Sequence, residues 1–250
     1  MLLAVDIGNT NIKFGVFDRD KLTFKLSIPT VREMSADGLA KVLSPKITQP
    51  INSAIVSSVV PEIDDSVRQF LTSQSGVDPV FVKNDFDFGI KIDHEPLSDA
   101  GTDRLVNTFS AVEKYGAPCI VCSFGTALTI DVVDADRTLV GGLIAPGMNT
   151  LATALRITTS KLPEVDIKLP DSVIQNTTVG SIQSGIVNGY FGLFEGLISR
   201  VKKEIGDDRK VIATGGFASL IAENTHQIDI VDENLLLDGL QLLYGRLHPA

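Results

Sequence analysis

The first thirty positions hold one apolar run and then two runs in which apolar and polar residues alternate, and polar turns separate the three. A period of two is typical of strands whose two faces differ in exposure. Turns this short join antiparallel neighbours. We therefore predict an antiparallel meander at the start of the chain. Its strands cover residues 2–6, 12–17 and 22–28.

Helical periodicity and apolar runs follow one another along the remaining sequence. The predicted helices cover 36–43, a segment after Pro61, 104–115, 147–157, 178–204, 217–223 and 235–247. The further strands cover 54–60, 80–82, 119–122, 128–133, 138–140, 210–214 and 228–231. Residues 86–103 and 158–176 are polar and contain prolines, so we predict loops there.

Residues 6–18 and 123–134 share one plan: the end of a strand, a small polar turn with glycine, an alternating strand and an acidic turn. The second copy begins near residue 117. Repetition of this kind indicates an internal duplication. We predict two halves, 1–116 and 117–250, each an α/β unit with a mixed sheet and helices on both faces.

The composition is that of an ordered protein, with 44% apolar and 21% charged residues among 250. A net charge of −9 disfavours a nucleic-acid partner, but ATP needs only local phosphate donors. No apolar run reaches the roughly 18 residues of a membrane span. The N-terminus has no basic segment followed by an apolar one. We predict a cytoplasmic protein without a membrane partner.

The two cysteines, Cys119 and Cys122, have the C-x-x-C spacing of redox and zinc sites. They lie in an apolar run that we predict to be a strand, where positions three apart face opposite sides. A structural role is therefore favoured over a shared metal or a disulfide. The three histidines are too scattered to indicate a metal site.

Three apolar strands end in turns that carry glycine, at residues 6–13, 123–127 and 213–217. Backbone N–H groups in such turns can bind phosphate, and glycine lets the phosphate approach. Asp6 could orient Mg²⁺, and Lys13 could add a positive charge or simply be exposed on its strand. Ordinary hairpin turns are the alternative interpretation.

Neither a Walker A motif nor G-x-G-x-x-G is present, which excludes the P-loop and Rossmann classes. The order of the three turns instead fits the duplicated ribonuclease H-like fold of actin, Hsp70 and the sugar kinases. We therefore predict a nucleotide-binding kinase of that architecture.

Phosphoryl transfer to an alcohol needs a group that accepts the hydroxyl proton. Asp103 stands where a predicted loop meets a helix, and Arg104 beside it could bind an anionic substrate through a two-point contact. The alternative is that Asp103 only caps the helix. On these residues alone, capping is the favoured interpretation.

Six segments together resemble the type III pantothenate kinases, including those described as Bvg accessory factor proteins. The segments are 6–11, 101–104, 125–131, 141–147, Thr178 with 182–185, and 213–216. The resemblance implies ATP-dependent phosphorylation of pantothenate to 4′-phosphopantothenate, the first step of coenzyme A biosynthesis. It also implies Mg²⁺, a monovalent cation (K⁺ or NH₄⁺) and a homodimer.

The resemblance implies roles for individual residues as well. The ATP phosphates would bind Asp6, Ile7, Gly8, Asn9, Thr10, Asn11, Ile12 and Lys13, with Asp6 near Mg²⁺. Thr126 and Gly215 would contact the nucleotide. The pantothenate pocket would be lined by Gly101, Thr102, Asp103, Arg104 and Thr178. Asp103 would accept the proton, a role that can coexist with capping.

Two departures from the family pattern favour a second hypothesis. Ser123 stands where the family has an aspartate that binds the monovalent cation, and a neutral hydroxyl is a weaker ligand. The family's pocket tyrosine is also missing, with His94 a candidate for its place. The alternative is a nucleotide-binding regulatory or accessory protein with weak or lost kinase activity. A third possibility is a kinase for another small acid.

Overall fold

A computed structural model describes residues 1–206 and 208–248. Its strands are β1 (Leu2–Ile7), β2 (Asn11–Asp18), β3 (Lys21–Pro29), β4 (Ser53–Ser58), β5 (Val80–Phe81), β6 (Lys91–Ile92), β7 (Cys119–Phe124), β8 (Ala127–Val133), β9 (Thr138–Pro146), β10 (Lys210–Thr214) and β11 (Ile230–Val231). Its helices are α1 (Ala36–Leu43), α2 (Asp64–Ser75), α3 (Thr102–Tyr115), α4 (Met148–Thr158), α5 (Thr178–Ile205), α6 (Ala218–Glu223) and α7 (Leu235–Leu247).

The chain forms two compact units. The first contains residues 1–116 and 137–139 together with the C-terminal segment from 234, and the second contains 117–136 and 140–233. The boundary after Gly116 is shared by the two units and the two predicted halves. Helix α7, which the prediction placed in the second half, is grouped with the first unit. The duplication of two sequence halves stays a prediction.

The first unit holds a mixed sheet in the order β3-β2-β1-β4-β5. Strand β1 pairs antiparallel with β2 and parallel with β4. Its residues Leu3 and Val5 pack into a core with α1 and α2, whereas Leu2 and Ala4 face a core with α3 and α7. Both faces of β1 are therefore apolar, which explains its uninterrupted hydrophobic run.

The second unit holds the strands β11-β10-β7-β8-β9 in that order. Strand β7 pairs antiparallel with β8 and parallel with β10, which repeats the pairing of β1. Its core includes Phe124, which meets Phe194 of α5 edge-on at 5.1 Å between ring centroids. Two mixed sheets with packed helices confirm the predicted α/β class.

The prediction of a continuous loop over residues 86–103 is wrong. The segment contains β6 and a 3₁₀ turn at Leu97–Asp99, and α3 begins at Thr102 rather than at residue 104. Strand β6 has two residues, too few to show a period, and it forms by pairing with Thr138 and Leu139. Strand β9 is also longer than predicted and continues through two glycines to Pro146.

Helix α5 carries four glycines that are exposed in the structure. They are Gly185, Gly189, Gly192 and Gly196. In the described part of the chain, no atom outside the helix's own backbone lies within 4 Å of a Cβ built at any of them. These four positions are therefore open to an approaching group, as far as the described residues show. Of the helices in residues 1–206 and 208–248, none combines the length and apolar character that a membrane span requires.

The two cysteines are free and buried in β7. Burial raises the pKa of Cys119 to about 11, so its thiol stays protonated and unreactive near neutral pH. Burial of both side chains agrees with a structural role, which stays a prediction.

Candidate functional site

A row of polar side chains crosses the first sheet near the carboxyl end of β1. Asp6 is in register with Lys13 on β2 and with Ser57 on β4. Residues paired in this way point to the same side of a sheet. Lys13 Nζ lies 3.5 Å from Asp6 Oδ2, and the Lys13 side chain is 39% exposed. Lys13 is therefore not simply exposed on its strand, because it faces a buried carboxylate.

The turn after β1 is fixed from two sides while its tip faces solvent. The Gly8 N–H donates to the Asn11 carbonyl at 3.0 Å. Thr30 donates its Oγ1 hydrogen to the Gly8 carbonyl at 2.6 Å and its N–H to the Thr10 carbonyl at 2.9 Å. Asn9 is exposed at the tip. The turn is thus held in one shape with its tip accessible to an anion.

The role of Thr30 was missed from the sequence, because it lies about twenty positions beyond the turn with no local motif. Ile7 and Ile12, predicted as phosphate-binding residues, are fully buried in the first core. Their side chains therefore stabilise the hairpin, and only their backbone could contact a ligand.

Asp103 is the second residue of α3, and Gly101 occupies the N-cap. The Asp103 carboxylate accepts backbone N–H bonds from Asp103 itself and from Arg104, at the positive end of the helix. A Cβ built on Gly101 would lie 2.5 Å from Asp103 Oδ1, so glycine leaves room for this arrangement. Asp103 is not the N-cap residue, but it satisfies first-turn N–H groups as the capping interpretation expected.

The electrostatics of the two carboxylates are linked. Burial raises the pKa of Asp6 to about 6; the nearby Lys13 charge lowers it and the Asp103 carboxylate raises it. Burial also raises the pKa of Asp103, against the lowering effects of the Arg104 N–H bond and guanidinium charge. The first unit therefore brings together the buried carboxylate of Asp6, the half-buried carboxylate of Asp103 and one ammonium group. A carboxylate with a raised pKa is better suited to accept a proton near neutral pH.

The second unit repeats the polar row with different chemistry. Ser123 on β7 is in register with Thr129 on β8 and Thr214 on β10. The Gly125 N–H donates to the Ala127 carbonyl at 3.0 Å, as Gly8 does in the first hairpin. Ser123 thus holds the place in its sheet that Asp6 holds in the first. This row offers three hydroxyl groups and no carboxylate.

Two glycines outside this hairpin support its turn. The Gly147 N–H donates to the Thr126 carbonyl at 3.0 Å, and a Cβ on Gly147 would lie 2.2 Å from the Gly125 carbonyl oxygen. Gly215 has a φ of +97°, and a Cβ there would lie 2.5 Å from the Phe124 carbonyl oxygen. The second and third predicted glycine turns therefore meet. The supporting role of Gly147 was missed, because its helix-opening position gives no sign of a partner.

Thr178 begins α5 and lines a cavity of about 860 Å³ between α4 and α5. Apolar walls come from Leu151, Leu155 and Ile182. Polar groups come from residues 175–178 and Ser181. The combination of apolar walls and a few polar groups is typical of a small-molecule site.

Metal-binding chemistry differs between the two rows. In residues 1–206 and 208–248, no three His, Cys, Asp or Glu side chains form a group able to hold a metal alone. Mg²⁺ in kinases is bound by one or two carboxylates together with substrate phosphates. Asp6 fits that requirement, because it is a buried carboxylate on the strand that leads into the turn at Gly8. The Ser123 row offers a monovalent cation neutral ligands only.

Solved structures of low sequence identity share this fold. One is the inorganic polyphosphate/ATP-glucomannokinase of Arthrobacter sp. strain KM, 15% identical with a TM-score of 0.51, covering 99% of both chains. Another is the activator of the 2-hydroxyisocaproyl-CoA dehydratase from Clostridium difficile with bound ADPNP, 13% identical with a TM-score of 0.51, covering 97% of this chain and 93% of that one. The fold is that of the sugar-kinase and actin/Hsp70 class.

The sequence comparisons narrow this class to one family. The family model for type III pantothenate kinase matches residues 2–200. A type III pantothenate kinase of Paramagnetospirillum magneticum is 42% identical, covering 98% of this chain and 97% of that protein. One from Agathobacter rectalis is 39% identical with the same coverage. The chain belongs to the type III pantothenate kinase family.

Proposed function

We propose that this chain transfers the γ-phosphoryl group of ATP to the 4′-hydroxyl of pantothenate. The products are ADP and 4′-phosphopantothenate, and the reaction is the first step of coenzyme A biosynthesis. The observation that carries the proposal is the half-buried Asp103 at the start of α3, near Asp6 and Lys13. Family membership over residues 2–200 identifies the substrate.

Asp103 accepts the proton of the pantothenate hydroxyl as that oxygen attacks phosphorus in line. Its raised pKa supports this role, as does its place on a helix terminus that fixes the carboxylate. Asp6 would hold Mg²⁺ directly or through water. Bound Mg²⁺ would neutralise part of the negative charge of the phosphates. Lys13 adds a point charge beside the turn.

The solvent-facing tip at Gly8, Asn9, Thr10 and Asn11 binds ATP phosphates through backbone N–H groups and polar side chains. In the second unit, Thr126 and Gly215 contact the nucleotide. This assignment is supported by the close approach of Gly215 to the turn that carries Thr126.

Pantothenate carries a carboxylate, an amide and hydroxyl groups. Arg104 pairs with an anionic group of the substrate. Gly101 leaves room for the Asp103 carboxylate. Thr178 supplies one of the hydroxyl groups that line its cavity. His94, half-buried with Nδ1 3.1 Å from the Pro96 carbonyl oxygen, stays a candidate for the place of the family tyrosine.

The second candidate function is a nucleotide-binding accessory protein with weak or lost kinase activity. The hydroxyl row at Ser123 favours it, because a potassium or ammonium ion would find no carboxylate there. We propose that activity, where present, depends little on a monovalent cation.

The working form is a homodimer in the cytoplasm, where ATP is available. Exposed large apolar side chains support the dimer, because burial against a second copy would remove their apolar surface from water. The most exposed in the second unit are Ile144 (66%), Ile157 (70%), Val173 (68%) and Ile174 (90%). The exposed glycines of α5 supply a surface on which a second helix could approach closely.

A coupled assay of ADP release tests the proposal with the wild-type chain, in sodium buffer with and without added potassium or ammonium. We expect release that requires pantothenate and changes little with the cation. Nucleotide binding without pantothenate-dependent release would favour the accessory function. Release with another small acid but not pantothenate would reassign the substrate.

A further inference from the structure

A buried hydroxyl pair joins the first sheet to the start of α3. Ser57 Oγ and Thr102 Oγ1 lie 2.9 Å apart, and Thr102 Oγ1 also donates to the Ser58 carbonyl at 3.2 Å. Ser57 is 0% and Thr102 is 8% exposed. Because Thr102 has one hydroxyl hydrogen and the Ser58 carbonyl can only accept, Ser57 is the donor to Thr102. The three groups form a single directed chain of hydrogen bonds.

This chain connects the two elements that carry the carboxylates. Ser57 is the in-register neighbour of Asp6 on the adjacent strand. Thr102 is the first residue of α3 and directly precedes Asp103. The position of the helix start relative to the sheet therefore depends on a bond between the immediate neighbours of Asp6 and Asp103.

We propose that Thr102 is a positioning residue, whose bond to Ser57 fixes Asp103 relative to Asp6 and Lys13 instead of contacting the substrate. The inference rests on the proposed kinase function with Asp103 as proton acceptor. The family resemblance implied that Thr102 lines the pantothenate pocket. The role proposed here differs, because the single hydroxyl hydrogen of Thr102 is already donated to the Ser58 carbonyl.

A positioning role has a distinct kinetic signature. A displacement of about 1 Å at a reacting group can reduce turnover by roughly 100-fold. Loss of the hydroxyl should therefore lower kcat while KM for pantothenate stays nearly constant. A residue that binds substrate directly would instead raise KM. A residue needed only for folding would change stability and leave both constants of the folded fraction unchanged.

The test compares Thr102→Val, which removes the hydroxyl at nearly constant volume, with Thr102→Ser, which keeps it. Thr108→Val is the matched control. Thr108 is buried on the same helix, and its hydroxyl bonds only to the Arg104 carbonyl at 2.8 Å among the contacts described. We expect Thr102→Val to lower kcat by about 10- to 100-fold, Thr102→Ser to restore most of it, and Thr108→Val to keep wild-type kcat.

Ser57→Ala tests the bond from its other end, and it decides the question alone if Thr102→Val does not fold. We expect Ser57→Ala to lower kcat similarly and the double variant to be no worse than either single one, because both remove the same bond. A raised KM with unchanged kcat, an equal loss in Thr108→Val, or additive losses would overturn the positioning role. A wild-type chain that releases no ADP with pantothenate would overturn the proposed function and this inference with it.

Discussion

Replacement of Asp6 by asparagine should stabilise the protein at neutral pH while it removes activity. The folded chain holds the proton of Asp6 with a pKa of about 6, compared with an ordinary value of 3.8. A tenfold change in proton affinity corresponds to about 1.4 kcal/mol, so the roughly hundredfold change corresponds to about 3 kcal/mol. At pH 8 the ionised Asp6 of the wild type lowers the free energy of unfolding by this amount, whereas the neutral amide of Asp6→Asn does not.

The pH dependence gives the sign of the effect. The contribution of the bound proton to wild-type stability is complete below pH 3.8 and is lost as the pH rises through 6. The advantage of Asp6→Asn should therefore be about 3 kcal/mol at pH 8 and about half as large at pH 5. Urea denaturation at both values measures the difference.

The control variant is Asp18→Asn, at an exposed carboxylate that ends β2. It should change stability by no more than about 0.5 kcal/mol. If Asp6→Asn destabilised the protein by the same amount at pH 5 and pH 8, burial would not be the cause of the raised pKa. The reasoning for the whole polar row would then fail.

Three further predictions concern the second unit. Gly215→Ala should lower the free energy of unfolding by about 2 kcal/mol or more, because its φ is +97° and the added Cβ would clash with Phe124. The control Gly216→Ala should not lower it, because the space around Gly216 is open. Equal urea midpoints for the two variants would contradict this prediction. Ser123→Asp should make ADP release faster in potassium buffer than in sodium buffer. No change in either buffer would contradict the inference that position 123 binds the monovalent cation. Gly192→Leu should shift the proposed dimer toward monomer in sedimentation velocity, because the larger side chain keeps a second helix away from α5. A wild-type chain that sediments as a monomer would contradict the proposed dimer.

The local pattern was sufficient for elements with a clear period. The meander of β1 to β3 and the helices α5 and α7 were predicted within a few residues, because alternation and helical spacing are properties of neighbouring positions. Strand β6 could not be predicted, since it depends entirely on its pairing with Thr138 and Leu139.

The candidate site was predicted as separate motifs but not as an arrangement. Asp6 and Asp103 were chosen from their turns, yet their electrostatic link arises from long-range packing. Ser57 was hidden in an apolar strand, and only its register with Asp6 makes it part of the site. Strand register and helix docking bring together residues 40 or more positions apart, such as Asp6, Ser57 and Thr102. The periodicity of neighbouring residues carries no information on such contacts.

The most direct test of the account is turnover by Asp103→Asn in the presence of ATP and pantothenate. The exposed Asp99, in the preceding 3₁₀ turn, supplies the control Asp99→Asn. We predict that Asp103→Asn binds ATP with wild-type affinity in calorimetry but forms no 4′-phosphopantothenate in a single turnover, while Asp99→Asn forms it at the normal rate. Product formation by Asp103→Asn at the wild-type rate would contradict the assignment of this carboxylate as proton acceptor.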